Sequence, residues 1–383
     1  MASTTVPVKL FDFRVRDFFR VLLCSAWRGP MYSAPGRIRR FRRAYNFQKR
    51  QSVKRQTAAV TGMEVPPILI ASVTRACNLN CAGCYAKALR PEAGTNGLSL
   101  KLSEELSDDR FMKLFREAID LGVGSILVAG GEPLMRRPLL EKMAKLPDII
   151  VPVFTNGTLI DDESIGLFTG GALVPIFSIE GGPQDTAMRR GQGVQEAVLR
   201  NASALRSHGF SFGFSITVTS RNIALVLSRK YLDDLTRLGP AAVFLVEYVP
   251  VAPCTDGLVL SAEQKELWND ARVFKGLDYP VIQLPGNESD YGGCLAAGRG
   301  FIHLAPDGSL EACPFAAFSD SNAGTQGLAA ALDSALMRSI RDHHGELTET
   351  EGACALWNKA GWVASLAGCA VAWQGAANCP ETP

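Results

Sequence analysis

Three cysteines lie close together in the sequence, spaced as C-x3-C-x2-C. Cys77, Cys81 and Cys84 follow an apolar run, residues 67–73, that predicts a buried strand. Three thiolates on one loop suit a four-iron, four-sulfur cluster, because each thiolate binds one iron and the fourth iron stays open to a ligand. Structural zinc normally takes four protein ligands from paired hooks, and no second hook lies nearby. The spacing favours the cluster, with zinc and buried, inert thiols as the alternatives.

This segment resembles the cysteine motif of the radical S-adenosylmethionine (radical SAM) enzymes, in which an aromatic residue follows the last cysteine, as Tyr85 does here. The resemblance implies that the three cysteines hold a 4Fe-4S cluster, that S-adenosylmethionine binds its open iron, and that the backbone of Tyr85 lies near the adenine. It also implies the chemistry. Reductive cleavage of the cofactor yields a 5′-deoxyadenosyl radical, which removes a hydrogen atom from the substrate.

Further polar motifs follow the later predicted strands, and the same resemblance gives them roles. Glu132 matches the residue that receives the cofactor's ammonium group, and Arg190 matches the arginine that pairs with its carboxylate, a role that Arg189 can also fill. Ser178 and Glu180 match the segment that meets the ribose hydroxyls, with glutamate where many relatives have aspartate. The complete set of expected cofactor-binding residues is Tyr85, Gly130, Gly131, Glu132, Pro133, Thr155, Asn156, Ser178, Glu180 and Arg190. The sequence names no further catalytic residue.

A second set of cysteines lies in the C-terminal part of the chain. Cys294 and Cys313 bracket Gly308 in a spacing that resembles the opening of the SPASM/Twitch auxiliary-cluster domains, and Cys354 fits as a third ligand. The full SPASM pattern is absent, so we expect one additional iron–sulfur cluster rather than two. Cys369 and Cys379 are candidates for a fourth ligand, whereas three scattered structural cysteines are the alternative. Cys24 and Cys254 are expected to be structural.

The elements that must position these residues are predicted from the alternation of apolar runs with helical patterns between residues 67 and 250. Six strands are expected, at 68–74, 125–129, 149–155, 173–179, 211–219 and 242–249, with helices at 103–121, 138–145, 161–168, 193–208 and 223–238. This order predicts an α/β fold, a (β/α)6 partial TIM barrel whose site lies at the C-terminal ends of the strands. After Pro250 the alternation fades.

Four regions are expected along the chain. They are a basic amphipathic extension (1–62), the radical SAM barrel (63–255), a smaller SPASM/Twitch-like region (256–360) and a Gly/Ala-rich tail (361–383). Residues 1–60 carry fourteen Lys and Arg against Asp12 and Asp17, although the whole chain has a formal net charge of only +2. Such an arm can pack on the barrel with its basic face in solvent, or bind an acidic partner or a membrane surface.

The partners follow from the resemblance and the composition. Reduction of the cluster requires a low-potential donor such as a flavodoxin- or ferredoxin-like protein, and the expected substrate is a peptide or protein side chain. A small cofactor precursor and RNA are the other possible substrates, but the acidic remainder of the chain and its lack of basic residues interleaved with aromatics argue against nucleic acid. A non-enzymatic iron–sulfur protein is the least favoured alternative, because it would not need the cofactor-binding motifs at the strand ends. Clustered thiols and the absence of a signal-like leader favour the reducing cytoplasm, with cysteines used for metal rather than for disulfides.

Overall fold

The computed structural model describes residues 35–89, 104–252, 254–284, 291–348 and 354–368. The amphipathic segment at residues 10–23, Cys24, and Cys369 and Cys379 in the tail lie outside these ranges. None of the helices in this part of the chain is both long and apolar enough to cross a bilayer.

The described chain forms nine strands in one sheet. Their bounds are β1 Ile68–Ser72, β2 Ser125–Ala129, β3 Val151–Thr155, β4 Leu173–Ile179, β5 Gly213–Val218, β6 Val243–Glu247, β7 Val281–Leu284, β8 Phe301–Leu304 and β9 Leu310–Glu311. The sheet order is β7-β6-β5-β4-β3-β2-β1-β8-β9. Every pair is parallel except β8 with β9, so the carboxyl ends of β1–β8 share one rim.

Fifteen α-helices are described. They are α1 Pro35–Val60, α2 Tyr85–Ala88, α3 Asp108–Leu121, α4 Arg137–Met143, α5 Asp162–Thr169, α6 Pro183–Arg190, α7 Val194–Ser207, α8 Ile223–Val226, α9 Arg229–Leu238, α10 Ala262–Asn269, α11 Ala323–Gln326, α12 Leu328–Leu332, α13 Ala335–Asp342, α14 Ala355–Asn358 and α15 Ala360–Leu366. The helices between the strands bury their apolar stripes against one face of the sheet. The opposite face lines the interior of a partial barrel, as the alternating βα pattern predicts.

All six predicted strands are present, and those at 125–129 and 173–179 have the predicted bounds. The helix expected from 223 to 238 is divided in two, because Ser228 is extended and caps α9 by accepting a hydrogen bond from the Tyr231 N–H. Helix α3 begins later than expected, at Asp108, with Ser107 as its cap. Helix α6 was not predicted, although Pro183 at its first position is a typical helix start.

The sheet continues beyond residue 255. Strand β7 pairs with β6, and β8 pairs in parallel with β1, so segments from the expected C-terminal region extend the barrel at both edges. These strands are short, and their alternation is too brief to stand out in the sequence. A buried hydrogen-bonded chain joins the edge to the barrel: Ser72 Oγ lies 2.8 Å from His303 Nε2, and His303 Nδ1 lies 2.7 Å from Glu311.

The basic helix α1 packs at the opposite rim from the cysteine loop. Gln48 donates a 2.5 Å hydrogen bond to the carbonyl of Gly124, just before β2, and Arg55 donates to the carbonyl of Gly122. Arg43 and Arg50 are exposed and form ion pairs with Asp148, before β3. The described part of the basic extension thus packs on the barrel with a solvated basic face.

Candidate active site

The cysteine loop lies at the carboxyl end of β1 and is fixed by the ends of the neighbouring strands. The Glu132 N–H donates to the carbonyl of Ala76, and the Gly131 N–H donates to that of Thr74. A Cβ on Gly131 would lie 2.1 Å from the Ala76 carbonyl oxygen, so only glycine permits this approach. The Gly130-Gly131 turn, which was expected to bind the cofactor, therefore packs directly against the backbone that leads into the cysteine loop.

The three thiols of the loop are free and half-buried. Burial raises the pKa of the Cys77 thiol, although the Leu79 N–H donates to its sulfur. Burial also raises the pKa of Cys81, opposed by the positive charges of Arg190 and Arg189. Because a cysteine binds metal as the thiolate, these arginines favour the form of Cys81 that is able to bind iron.

Glu132 is almost completely buried, and its carboxylate organises the end of β3. It accepts hydrogen bonds from the Thr155 hydroxyl at 2.7 Å, the Asn156 N–H at 2.7 Å and the Leu134 N–H at 3.0 Å. Burial raises the pKa of Glu132, and these hydrogen bonds oppose the shift. Three acceptor sites of the carboxylate are occupied, and the group lines the central cavity, so one acceptor site remains for a ligand donor.

Asn156 connects the strand end to the cysteine loop. Its side-chain amide donates a 2.8 Å hydrogen bond to Asn78, which lies directly after Cys77. Asn78 in turn donates to the hydroxyl of Thr158 at 2.8 Å. Asn78 was not singled out in the sequence, because its partners are distant in the chain.

Helix α6 carries the two arginines to the same rim, where they share one carboxylate oxygen. Glu180 Oε1 accepts from Arg189 at 2.5 Å and from Arg190 at 2.6 Å. Glu180 Oε2 is buried and accepts no hydrogen bond from the described residues. Glu180 itself is not among the described residues that line the cavity, so its observed contacts are with the arginines rather than with the expected ribose position.

The two arginines differ in how fully they are bonded. Arg189 donates to the carbonyl of Ala82 at 3.2 Å and to the Thr217 hydroxyl at 2.9 Å, and its own carbonyl accepts from the Ala82 N–H at 2.9 Å. The terminal nitrogens of Arg190 make no hydrogen bond with the described chain, and Arg190 lines the cavity. Arg189 thus holds the cysteine loop, and Arg190 has donors available.

The C-terminal cysteines come together at the same cavity. Cys313 forms a hydrogen bond with the thiol of Cys354, and this contact, burial and the nearby Cys354 and Cys294 sulfurs raise the pKa of Cys313 well above its usual value. Cys294 is placed by its N–H, which donates to the carbonyl of Leu347, and by Arg299, which donates to the carbonyls of Gly293 and Cys294. Tyr85 packs edge-on against Phe315, with ring centres 5.3 Å apart, and so joins the two cysteine sets.

One cavity of about 1300 Å3 contains both sets of thiols together with Glu132, Ser178 and Arg190. Within the described ranges, no three His, Cys, Asp or Glu side chains lie close enough to hold a single metal ion. A cluster requires less convergence, since each thiolate binds a different iron. Cys254 is disulfide-bonded, which differs from the expectation that the cysteines serve metal rather than disulfides.

Comparison with known proteins agrees with this geometry. The model of the Radical SAM superfamily matches residues 71–224. The AdoMet-dependent heme synthase of Nitratidesulfovibrio vulgaris is 31% identical over 278 residues, which cover 63% of this chain and 72% of that protein. The chain belongs to the radical SAM superfamily. Radical SAM proteins use a 4Fe-4S cluster and S-adenosylmethionine, and relatives such as the heme synthase are enzymes.

Two further comparisons extend this result. The Fe-coproporphyrin III synthase of Methanosarcina barkeri is 30% identical over 166 residues, and the match covers 41% of this chain but only 38% of that radical SAM relative. The crystal structure of Streptococcus suis SuiB bound to the precursor peptide SuiA superimposes with a TM-score of 0.57 at 15% identity, covering 82% of this chain and 74% of SuiB. The likeness to SuiB concerns the fold alone.

The residues at the rim fit the radical SAM cofactors. Three free thiols on one loop provide the donor set for the cluster, while Arg190 and Glu132 present a cation and a carboxylate to the same space. These are the complementary charges for the carboxylate and ammonium of the cofactor's methionine part. Thr217 and Tyr248, at the ends of β5 and β6, also line this rim and were missed in the sequence. In the sequence, only their position at the ends of predicted strands could have indicated that these two residues line the site.

Proposed function

We propose that this protein is a radical SAM enzyme that cleaves S-adenosylmethionine and removes a hydrogen atom from a peptide or protein side chain. The observation that carries the proposal is the single cavity shared by the Cys77, Cys81 and Cys84 thiols, Glu132, Arg190 and the C-terminal cysteines. In this arrangement a cofactor held at the rim faces an interior large enough for part of a substrate.

Each rim residue has a defined task in this proposal. Arg190 binds the cofactor carboxylate through its available nitrogens, and Glu132 accepts a hydrogen bond from the ammonium. Glu180 and Arg189 keep Arg190 and the cysteine loop in place through the short ion pairs and the contacts to Ala82. When bound, the cluster and S-adenosylmethionine supply the electron and the carbon radical. The protein's contribution is to orient the cofactor and exclude water.

The Cys294, Cys313 and Cys354 thiols are proposed to hold a second iron–sulfur cluster of the SPASM/Twitch type. Support comes from their proximity at the cavity, where the buried thiol of Cys313 interacts with the partly buried thiol of Cys354. Three uncharged thiols can share such a site, but three thiolates repel one another unless a metal neutralises them. Cys369 and Cys379 remain proposed sources of a fourth ligand.

A peptide substrate is supported by the fold shared with SuiB, whose structure contains a precursor peptide. A small cofactor precursor is the second candidate, favoured by the heme synthase match that covers 72% of that enzyme. The electron donor is proposed to be a flavodoxin- or ferredoxin-like protein of the cytoplasm, and an acidic partner or membrane surface is proposed to contact the exposed arginines of α1.

Anaerobic reconstitution with iron and sulfide, followed by reduction in the presence of S-adenosylmethionine, tests the activity. We expect 5′-deoxyadenosine from the wild-type protein and none above background from the Cys77→Ala/Cys81→Ala/Cys84→Ala variant. The wild-type rate in that variant would refute the assignment. Mass spectrometry of peptides encoded beside the gene then distinguishes a peptide substrate from a cofactor precursor.

A further inference from the structure

The part of the cavity below the rim is lined mainly by apolar side chains. We call it the inner chamber and define it by the lining residues Ile70, Leu127, Phe154, Val174, Phe244 and Val246. These apolar side chains project from the inner face of β1–β4 and β6. Phe244 is 8% exposed, and the other five side chains are each more exposed than that.

The inner face differs from the face that packs against the helices. In β1 the helix-facing Leu69 and Ala71 are completely buried, whereas the alternate residues Ile68 and Ile70 are only partly buried. The alternation recurs in β3, where Val153 is completely buried and Phe154 is not. Apolar surface left accessible inside a protein favours an apolar ligand, because its transfer out of water is favourable.

In the described lining of the cavity, charged side chains lie only at the rim. Among the described lining residues, six are charged, and all lie at or beyond the carboxyl ends of the strands: Arg75, Lys87, Glu132, Arg189, Arg190 and Glu247. Arg75 is paired with Asp307 at 2.9 Å, and Glu247 with Lys265 at 2.5 Å. The described lining of the inner chamber therefore offers no charge to compensate an ionised group, whose burial without a partner is strongly unfavourable.

The cavity extends along the full length of the strands, from their amino ends to the rim. Thr169, Gly171 and Phe210, which precede β4 and β5, line the same cavity as the cysteine loop. Strand β4 has seven residues, so the cavity, including the chamber, is about 20 Å long at roughly 3.3 Å per residue. Such a length accommodates an extended apolar group rather than a single methyl.

We propose that the inner chamber binds an uncharged, extended apolar part of the substrate and thereby places its reacting carbon below the cofactor. This inference rests on the proposed function and specifies the chemical class of the group that enters the barrel. Either an apolar peptide segment or the hydrocarbon chain of a smaller molecule has this chemistry.

Binding of the neutral dye Nile red to the reconstituted full-length protein provides the test. We expect a blue-shifted emission, and displacement of the dye by the acetylated, amidated pentapeptide Ala-Phe-Leu-Phe-Ala or by dodecanol. The peptide with lysine at its centre should displace the dye at least tenfold less well. Displacement by the apolar peptide assigns the group to a peptide, and displacement by dodecanol alone assigns it to a hydrocarbon chain.

Two substitutions locate the binding in the chamber. Ser215→Trp, on the inner face of β5, fills the space and should weaken dye binding at least tenfold, whereas Ser207→Trp on the exposed surface of α7 should leave it unchanged. Val174→Thr keeps the side-chain shape but replaces a methyl group with a hydroxyl, and should weaken binding several-fold even if Ser215→Trp fails to fold.

The proposal is overturned if the wild-type protein does not bind the dye, if both chamber variants bind it as the wild type does, or if the lysine peptide competes equally well. Formation of 5′-deoxyadenosine is measured on the same samples. Cleavage without apolar binding removes only this inference, and apolar binding without cleavage removes only the proposed activity.

Discussion

The two sets of cysteines reach the same cavity in opposite ways. Cys77, Cys81 and Cys84 lie on one eight-residue loop, and the ends of β2, β3 and α6 hold that loop by backbone hydrogen bonds and by Asn156 and Arg189. Cys294, Cys313 and Cys354 come from three segments, before β8, after β9 and at the start of α14. A local loop can bind a cluster whenever the rim is folded, whereas the distant set depends on folding of the whole C-terminal part.

The largest expected effect separates the two sets by function. The Cys294→Ala/Cys313→Ala/Cys354→Ala variant should lose about half of the iron but still form 5′-deoxyadenosine, because the loop cluster remains. It should also become more sensitive to protease after residue 290, since metal binding is coupled to folding when ligands are distant in sequence. Iron analysis and limited proteolysis measure this result.

The reciprocal variant of the loop cysteines is the control, and should keep the second half of the iron while cleaving no S-adenosylmethionine. If the fully reconstituted wild-type protein carries only about four irons per chain, as one four-iron cluster requires, the second cluster does not exist. In that case the loop cysteines would form a metal site, and Cys294, Cys313 and Cys354 would be structural thiols.

The second prediction separates two neighbouring arginines of the loop site. Arg190→Gln should weaken S-adenosylmethionine binding by about 2–5 kcal/mol, because the carboxylate of the bound cofactor would be buried without its positively charged partner. Glu132→Ala should have an effect of the same size. Arg189→Gln should instead reduce iron retention, since Ala82 loses a hydrogen bond that fixes the loop.

Equilibrium binding of S-adenosylmethionine and iron content are measured on all three variants, with Arg221→Gln, on the neighbouring surface, as a control. Normal binding by both Arg190→Gln and Glu132→Ala would show that the pocket has been misplaced. Equal loss of affinity in the two arginine variants would remove the distinction between them.

The smallest expected effect concerns how closely the loop is packed. Gly83 has a φ of +64°, and a Cβ there would lie 2.5 Å from Tyr248 Oη. Gly83→Ala should destabilise the protein by about 1–2 kcal/mol from the backbone conformation alone, with a further contribution from the clash. Tyr248→Phe in the same background should relieve part of the loss, measured by thermal unfolding. Absence of any rescue would place the strain in the backbone rather than at the hydroxyl.

The sequence determined the features that are local. The C-x3-C-x2-C loop, the strands at 125–129 and 173–179 and the polar motifs at the strand ends were all readable, because a parallel sheet with short connections places consecutive strand ends at one rim. The radical SAM family and the partial barrel followed from these residues. The spacing around Gly308 predicted a second metal site but did not show which residues would come together there.

Tertiary structure alone decided the features that depend on residues distant in the chain. Pairing of β8 with β1 brings Cys294 and Cys313 beside the cavity. Strand β8 is too short for its apolar periodicity to predict this pairing from the sequence. The different tasks of Arg189 and Arg190 also depend on the fold, since adjacent residues of one helix point in different directions and only one reaches Ala82. The physical reason is the same in both cases. The sequence specifies the chemistry of each side chain, but the packing of distant backbone segments decides which other residues that side chain contacts.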